Sequence, residues 1–154
     1  MSWMGEVALL DRRAIRVREQ ASDQQMAIRL CGQVLVDIGA VDPPYIQAML
    51  EREKSISTYL GEGVAIPHGT MAGKDAVRRD ALAVLKFPDG VDWDGGRVTV
   101  CIAIAARGDG HIAILTELAQ ILSDPAQAQA LRQATTADDI IHLLQPESEQ
   151  KESA

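Results

Sequence analysis

Residues 1–145 predict one α/β sandwich, a sheet with helices on both faces, followed by a disordered polar tail at 146–154. Three observations carry this fold class. Val98–Ala106 is an almost unbroken apolar run, as in a strand covered on both sides. Met26, Ala27, Leu30, Cys31, Val34, Leu35 and Ile38 recur at helical spacing. Strand-like and helix-like stretches also alternate along the chain, the order from which layered α/β domains are built.

The first strand is expected around Ala14–Val17. The stretch "ASDQQ" then opens a helix with Ser22 or Asp23 as its cap, and Gly39 closes it. Asp42-Pro43 opens a second helix in the cap-then-proline pattern, with Tyr45, Ile46, Met49 and Leu50 on its inner face. Arg52 follows Tyr45 by seven positions and so falls on nearly the same side. It reads either as a stem lying on the core with its head in water or as a charge placed for use. Strands are expected at Ser57–Leu60, Val64–Ile66 and Ala81–Phe87, with a turn at the "PDG" of 88–90. The long apolar run ends at "RGDGH", where a helix over about Ile112–Leu122 begins. Asp124-Pro125 opens a short helix, and Thr136, with Asp139 in capping-box position, starts a last one through Leu144.

Composition narrows the function. Among 154 residues, 47% are hydrophobic but only 3% aromatic, so the core is aliphatic and base-stacking platforms are not expected. The net charge of −7 argues against nucleic acid, which selects basic surfaces. Cys31 and Cys101 sit in apolar segments without metal-ligand spacing and read as buried thiols of a reducing, cytoplasmic compartment. The N-terminus lacks the pattern of a signal peptide, and the longest apolar window is too short to span a bilayer.

Chemistry concentrates in "TYLGEGVAIPHGT", residues 58–70. Val64-Ala65-Ile66 reads as a strand, Pro67 ends its pairing, and Gly69 lets the chain turn away after His68. His111 likewise follows a strand end, at the edge of an α/β sheet where ligands bind. His142, between Ile141 and Leu143, reads as structural. Three chemistries stay open for the His68–His111 pair on these residues alone. A metal site needs further ligands, and only Glu62 and Asp109 are near in sequence. A hydrolase lacks a G-x-S-x-G elbow or an exposed Cys–His pair. Phosphoryl carriage on an imidazole needs a nucleophilic nitrogen and donors for phosphate oxygens. The Gly69-Thr70 backbone, the Thr70 hydroxyl, Arg52 and the helix start at His111 are suitable donors. Which histidine takes the phosphate is left open at this level.

The segments "PYIQAMLEREK", "TYLGEGVAIPHGT" and "IAIAARGDGHIAIL" resemble the mannitol-type enzyme IIA domain of the phosphoenolpyruvate-dependent sugar phosphotransferase system, within the mannitol/fructose superfamily. The resemblance runs from about Ile15 to Leu144 and implies a mixed five-stranded sheet flanked by helices. It implies that His68 accepts phosphate on Nε2 from the phosphocarrier HPr and passes it to a cysteine of enzyme IIB. Enzyme IIC then makes the only connection to the membrane. His111 and Arg52 match residues that contact or offset the phosphoryl group, and no cofactor or metal is implied. Val64, Ile66 and Met71 are candidates for the rim of a shallow docking depression, with some of them facing inward instead. Gly63, where the mannitol type commonly has serine, and the "GDG" before His111 depart from the pattern. A free-standing regulator, whose His68 phosphorylation controls a partner protein, is the alternative use of the same site.

Overall fold

The computed structural model describes residues 10–107 and 110–144, without the side chains of 71, 72, 74 and 110–112. The expectations for the Met71 side chain, for Asp109 and for the 146–154 tail lie outside the described residues.

In chain order the elements are β1 (Leu10–Arg16), α1 (Gln24–Asp37), α2 (Pro44–Ser55), β2 (Tyr59–Gly61), β3 (Val64–Ala65) and a short 3-10 helix (Met71–Ala76). They continue with β4 (Ala81–Trp93), β5 (Gly96–Ala105), α3 (Gly110–Leu122), α4 (Pro125–Gln133) and α5 (Ala137–Leu144). The described strands form one mixed five-stranded sheet in the order β1-β4-β5-β3-β2. β1 runs parallel to β4 and β3 parallel to β5, whereas the β4–β5 and β2–β3 pairs are antiparallel.

Strand alternation divides the interior into two cores. Ala83, Leu85, Phe87, Cys101, Ala103 and Ala105 face α1 and α2, meeting Ile28, Leu35 and Met49. Leu82, Val84, Val100, Ile102 and Ile104 face α3–α5, meeting Leu118, Leu131 and Ile140. The expected helices on both faces are present. Cys31 and Cys101 are both free and fully buried in the first core.

Local chemistry accounts for most boundaries. Asp23 caps α1, its Oδ1 accepting from the Met26 N–H at 2.8 Å, and Asp124 caps α4 through the Ala126 N–H at 3.0 Å. Thr136 Oγ1 accepts from the Asp139 N–H at 3.1 Å at the start of α5. Gly39, at φ +79°, takes the left-handed turn after α1.

Several expectations need correction. Asp42 does not cap α2 with its side chain, which binds Arg78 Nε at 2.7 Å; Pro43 occupies the cap position. Met26 is 45% exposed rather than in the core. β1 begins at Leu10, β2 is shifted to Tyr59–Gly61, and α3 begins at Gly110. The "PDG" stretch is not the turn between strands. β4 continues through it to Trp93, with a shift in register between Lys86 and Val91. β1 pairs with β4 only as far as Leu85, so Pro88 lies beyond that ladder and at an irregularity, where its missing N–H is tolerated.

Candidate functional site

His68 stands where β3 ends against the last residues of β5. The Ile104 N–H donates to the Pro67 carbonyl at 2.9 Å, and His68 bridges in parallel to Ile104. The expected end of pairing at Pro67 is not observed: its carbonyl still accepts, and the bridge runs one residue further, to His68 itself. The alternation from Val64 and Ile66, which belong to the α3–α5 core, assigns His68 to that side of the sheet. His111 lies in the first turn of α3 on the same side, and its side chain is outside the described residues.

The imidazole is largely buried, at 7% exposure, and its Nδ1 lies 2.8 Å from the Ile66 carbonyl oxygen. A carbonyl can only accept, so this contact selects the tautomer with the proton on Nδ1. Nε2 is then the nitrogen bearing the lone pair.

Tyr45 holds the loop from below. From the first turn of α2 its hydroxyl donates to the Ile104 carbonyl at 2.8 Å and accepts the Gly69 N–H at 2.9 Å. One buried oxygen ties the end of β5 to the residue after His68. Burial pushes the Tyr45 pKa up to about 12, against a smaller opposing effect of the Gly69 N–H. The packing is close enough to require glycine: a Cβ at Gly69 would lie 2.5 Å from Tyr45 Cε1. The Gly69 N–H, expected to face phosphate oxygens, is thus already directed inward.

Thr70 accepts the Gly73 N–H on Oγ1 at 3.1 Å, starting the 3-10 turn, and its hydroxyl proton remains a donor. Arg52, partly exposed in the last turn of α2, donates from Nη1 to the Ile56 carbonyl at 2.7 Å. The β2–β3 register pairs Tyr59 with Ala65, and the Ile66 N–H reaches the Thr58 carbonyl at 3.0 Å. Arg52 thus grips the residue that follows α2, just before this edge pairing begins. Of the rim candidates, Val64 and Ile66 are 0% and 7% exposed and are the ones that face inward, into the core. The large apolar side chains exposed in this stretch are Ile56, at 70%, and Leu60, at 40%.

Tyr45 as an anchor and Glu53 were not anticipated. Glu53, 6% exposed, accepts from the Thr58 N–H and hydroxyl, both at 2.7 Å, and from Trp93 Nε1–H at 2.9 Å. Its spacing of four from Met49 and eight from Tyr45 was the available signal: an acid at i+4 and i+8 along an apolar helix face. Glu62, in the β2–β3 turn, is engaged by Arg132, which donates to its carbonyl at 2.8 Å and to its Oε1 at 3.3 Å. His142 is exposed on α5.

With this geometry in hand, residues 8–146 match the family described as "Phosphoenolpyruvate-dependent sugar phosphotransferase system, EIIA 2". The chain belongs to that family. This EIIA 2 chain is 39% identical over 136 residues to the "Mannitol-specific phosphotransferase enzyme IIA component" of Halalkalibacterium halodurans, covering 88% of this chain and 94% of that protein. It is 42% identical over 135 residues to the "Multiphosphoryl transfer protein" of Escherichia coli O157:H7, but spans only 36% of that protein's length. Among solved structures, the Escherichia coli complex of enzyme IIA and phosphorylated enzyme IIB of the mannitol system contains a chain of the same fold. The TM-score is 0.82 at 36% identity, covering 89% of this EIIA 2 chain and 99% of that one. Membership makes the chain a phosphotransferase component. No described helix is long and apolar enough to cross a membrane.

Proposed function

We propose that His68 carries a phosphoryl group, accepted on Nε2 from phospho-HPr and passed to a cysteine of a mannitol-type enzyme IIB. The observation that carries this reading is the 2.8 Å contact between His68 Nδ1 and the Ile66 carbonyl. The names of the relatives, which specify mannitol, support the branch.

The chemistry follows from the tautomer. The Nε2 lone pair forms the N–P bond while the bond from phosphorus to the donor breaks, and the donor keeps that electron pair. No proton leaves His68, because the proton stays on Nδ1, donated to the Ile66 carbonyl. The phosphorylated ring then carries formal positive charge, which makes it a good leaving group for onward transfer to a thiolate. In such transfers placement and stabilisation of the phosphoryl oxygens supply most of the catalysis. The Thr70 hydroxyl, the remaining N–H groups of Arg52 and His111 at the start of α3 are assigned to those oxygens.

The test uses labelled phosphoenolpyruvate with purified enzyme I and HPr. Acid-labile, alkali-stable label is expected on the wild type and none on His68→Ala. His111→Ala should still take label, with transfer lowered by about 10²-fold, the size of one oxyanion donor. An unlabelled wild type overturns the reading, and equal total loss in both variants overturns the assignment of roles.

A further inference from the structure

Glu53 is the one buried acidic side chain among the described residues. Burying a carboxyl is costly unless its oxygens are well hydrogen-bonded, and an apolar side chain of similar size often serves stability as well or better. Here three donors converge on it, and two of them belong to Thr58, which lies outside any helix or named strand. The cluster therefore fixes the position of one residue. Thr58 in turn accepts the Ile66 N–H on its carbonyl at 3.0 Å, and the Ile66 carbonyl accepts from His68 Nδ1 at 2.8 Å. Two backbone steps connect the buried acid to the imidazole.

We propose that Glu53 is a positioning residue for His68: by holding Thr58, it sets the place of the Ile66 carbonyl that selects the imidazole tautomer. For transfer, this rests on the reading of His68 as the phosphoryl acceptor. The same segment is held from its other side, by the Ile104 N–H on the Pro67 carbonyl and by Tyr45 on the Gly69 N–H. Loss of Glu53 therefore loosens one wall of the site and leaves the other in place. The expected result is a partial defect with a particular spectroscopic signature. Glutamine can keep all three contacts, its oxygen accepting the Thr58 and Trp93 N–H groups and its NH₂ donating to the Thr58 hydroxyl oxygen, so the informative change is Glu53→Leu, which removes both carboxyl oxygens.

The test uses the full chain labelled with ¹⁵N, and long-range ¹H–¹⁵N spectra that read the tautomer of each imidazole. Wild type is expected to show His68 with the proton on Nδ1. Glu53→Leu is expected to mix in the Nε2–H form. In transfer from phospho-HPr its turnover should fall about 10-fold with KM unchanged, the scale of outer partners that orient a ligating histidine. A merely structural loss would lower the folded fraction and leave the ring of the folded molecules as in wild type. A folded Glu53→Leu protein with the wild-type tautomer overturns the proposal, as does an Nε2–H ring in the wild type. Should Glu53→Leu not fold, Thr58→Val decides, since it removes the hydroxyl bond and keeps the N–H bond. A shift toward Nε2–H then supports the proposal, and unchanged His68 nitrogens overturn it. If the wild type takes no phosphate, the phosphoryl reading fails, and the tautomer spectra still show whether Glu53 governs His68.

Discussion

Tyr45 shows how much of this site rests on a single oxygen. Its hydroxyl satisfies the Ile104 carbonyl and the Gly69 N–H at once. Tyr45→Phe leaves both groups without that partner in a buried setting and should destabilise the fold by about 2 kcal/mol. A pH dependence accompanies it. The folded-state pKa is raised from 10.0 to about 12. Below pH 10 the residue is protonated in both states and its contribution is complete. Between pH 10 and 12 the unfolded chain ionises first, so as much as about 2–3 kcal/mol is lost as the pH rises through the folded value. Urea unfolding of wild type and Tyr45→Phe at pH 8, 10 and 11.5 should show the gap between them closing; a constant gap would contradict this account. Legibility in the sequence divides at the same place. His68 was readable because strand, proline, histidine and glycine are contiguous, and each acts on its neighbour. Tyr45 and Glu53 were not, because their roles depend on partners far away in sequence, Ile104 and Trp93 among them.

Elements were most legible where they carry their own start and stop signals. Asp23, Asp124 and Thr136 each cap the helix that the pattern assigned to them. β4 was misread because its end is decided by its neighbours: "PDG" has turn chemistry, yet β5 keeps pairing beyond it through Trp93↔Gly96. Lys86, on this strand, links two elements. It is 5% exposed, and its ammonium donates to the carbonyls of Arg132, at 2.6 Å, and of Ala134, at the end of α4. Burial pushes its pKa down. A cation on the last carbonyls of a helix satisfies acceptors that the helix itself leaves unpaired. Lys86→Met keeps the stem volume and removes those bonds. Denaturant titration should register a loss of about 1–2 kcal/mol, and amide exchange should quicken in α4 before it does in α1. Equal exchange in both helices would mean that Lys86 does not cap α4.

At the scale of the whole molecule, the site lies where both layers reach one loop. Tyr45 comes from the α1–α2 side, while His68 follows the side of α3. Rigid placement of the imidazole then requires the two cores to fold as one unit, although they share no side chains and are separated by the sheet. β4 and β5 provide the coupling, since adjacent residues on each strand serve opposite cores. Leu85 and Ile102 are both fully buried, one on each face. Truncating either to alanine should cost about 2–5 kcal/mol, from lost transfer energy and the cavity left behind. If the sheet couples the layers, each loss is felt by the whole chain. Trp93 reports on the first core, and in a Trp3→Phe background its fluorescence is read alone. Ile102→Ala, which opens space only on the α3–α5 side, should shift the Trp93 transition as far as it shifts the far-ultraviolet circular dichroism. A Trp93 transition that stays in place while the helical signal moves would show two independently folding layers, and the loop bearing His68 would then be held by only one of them.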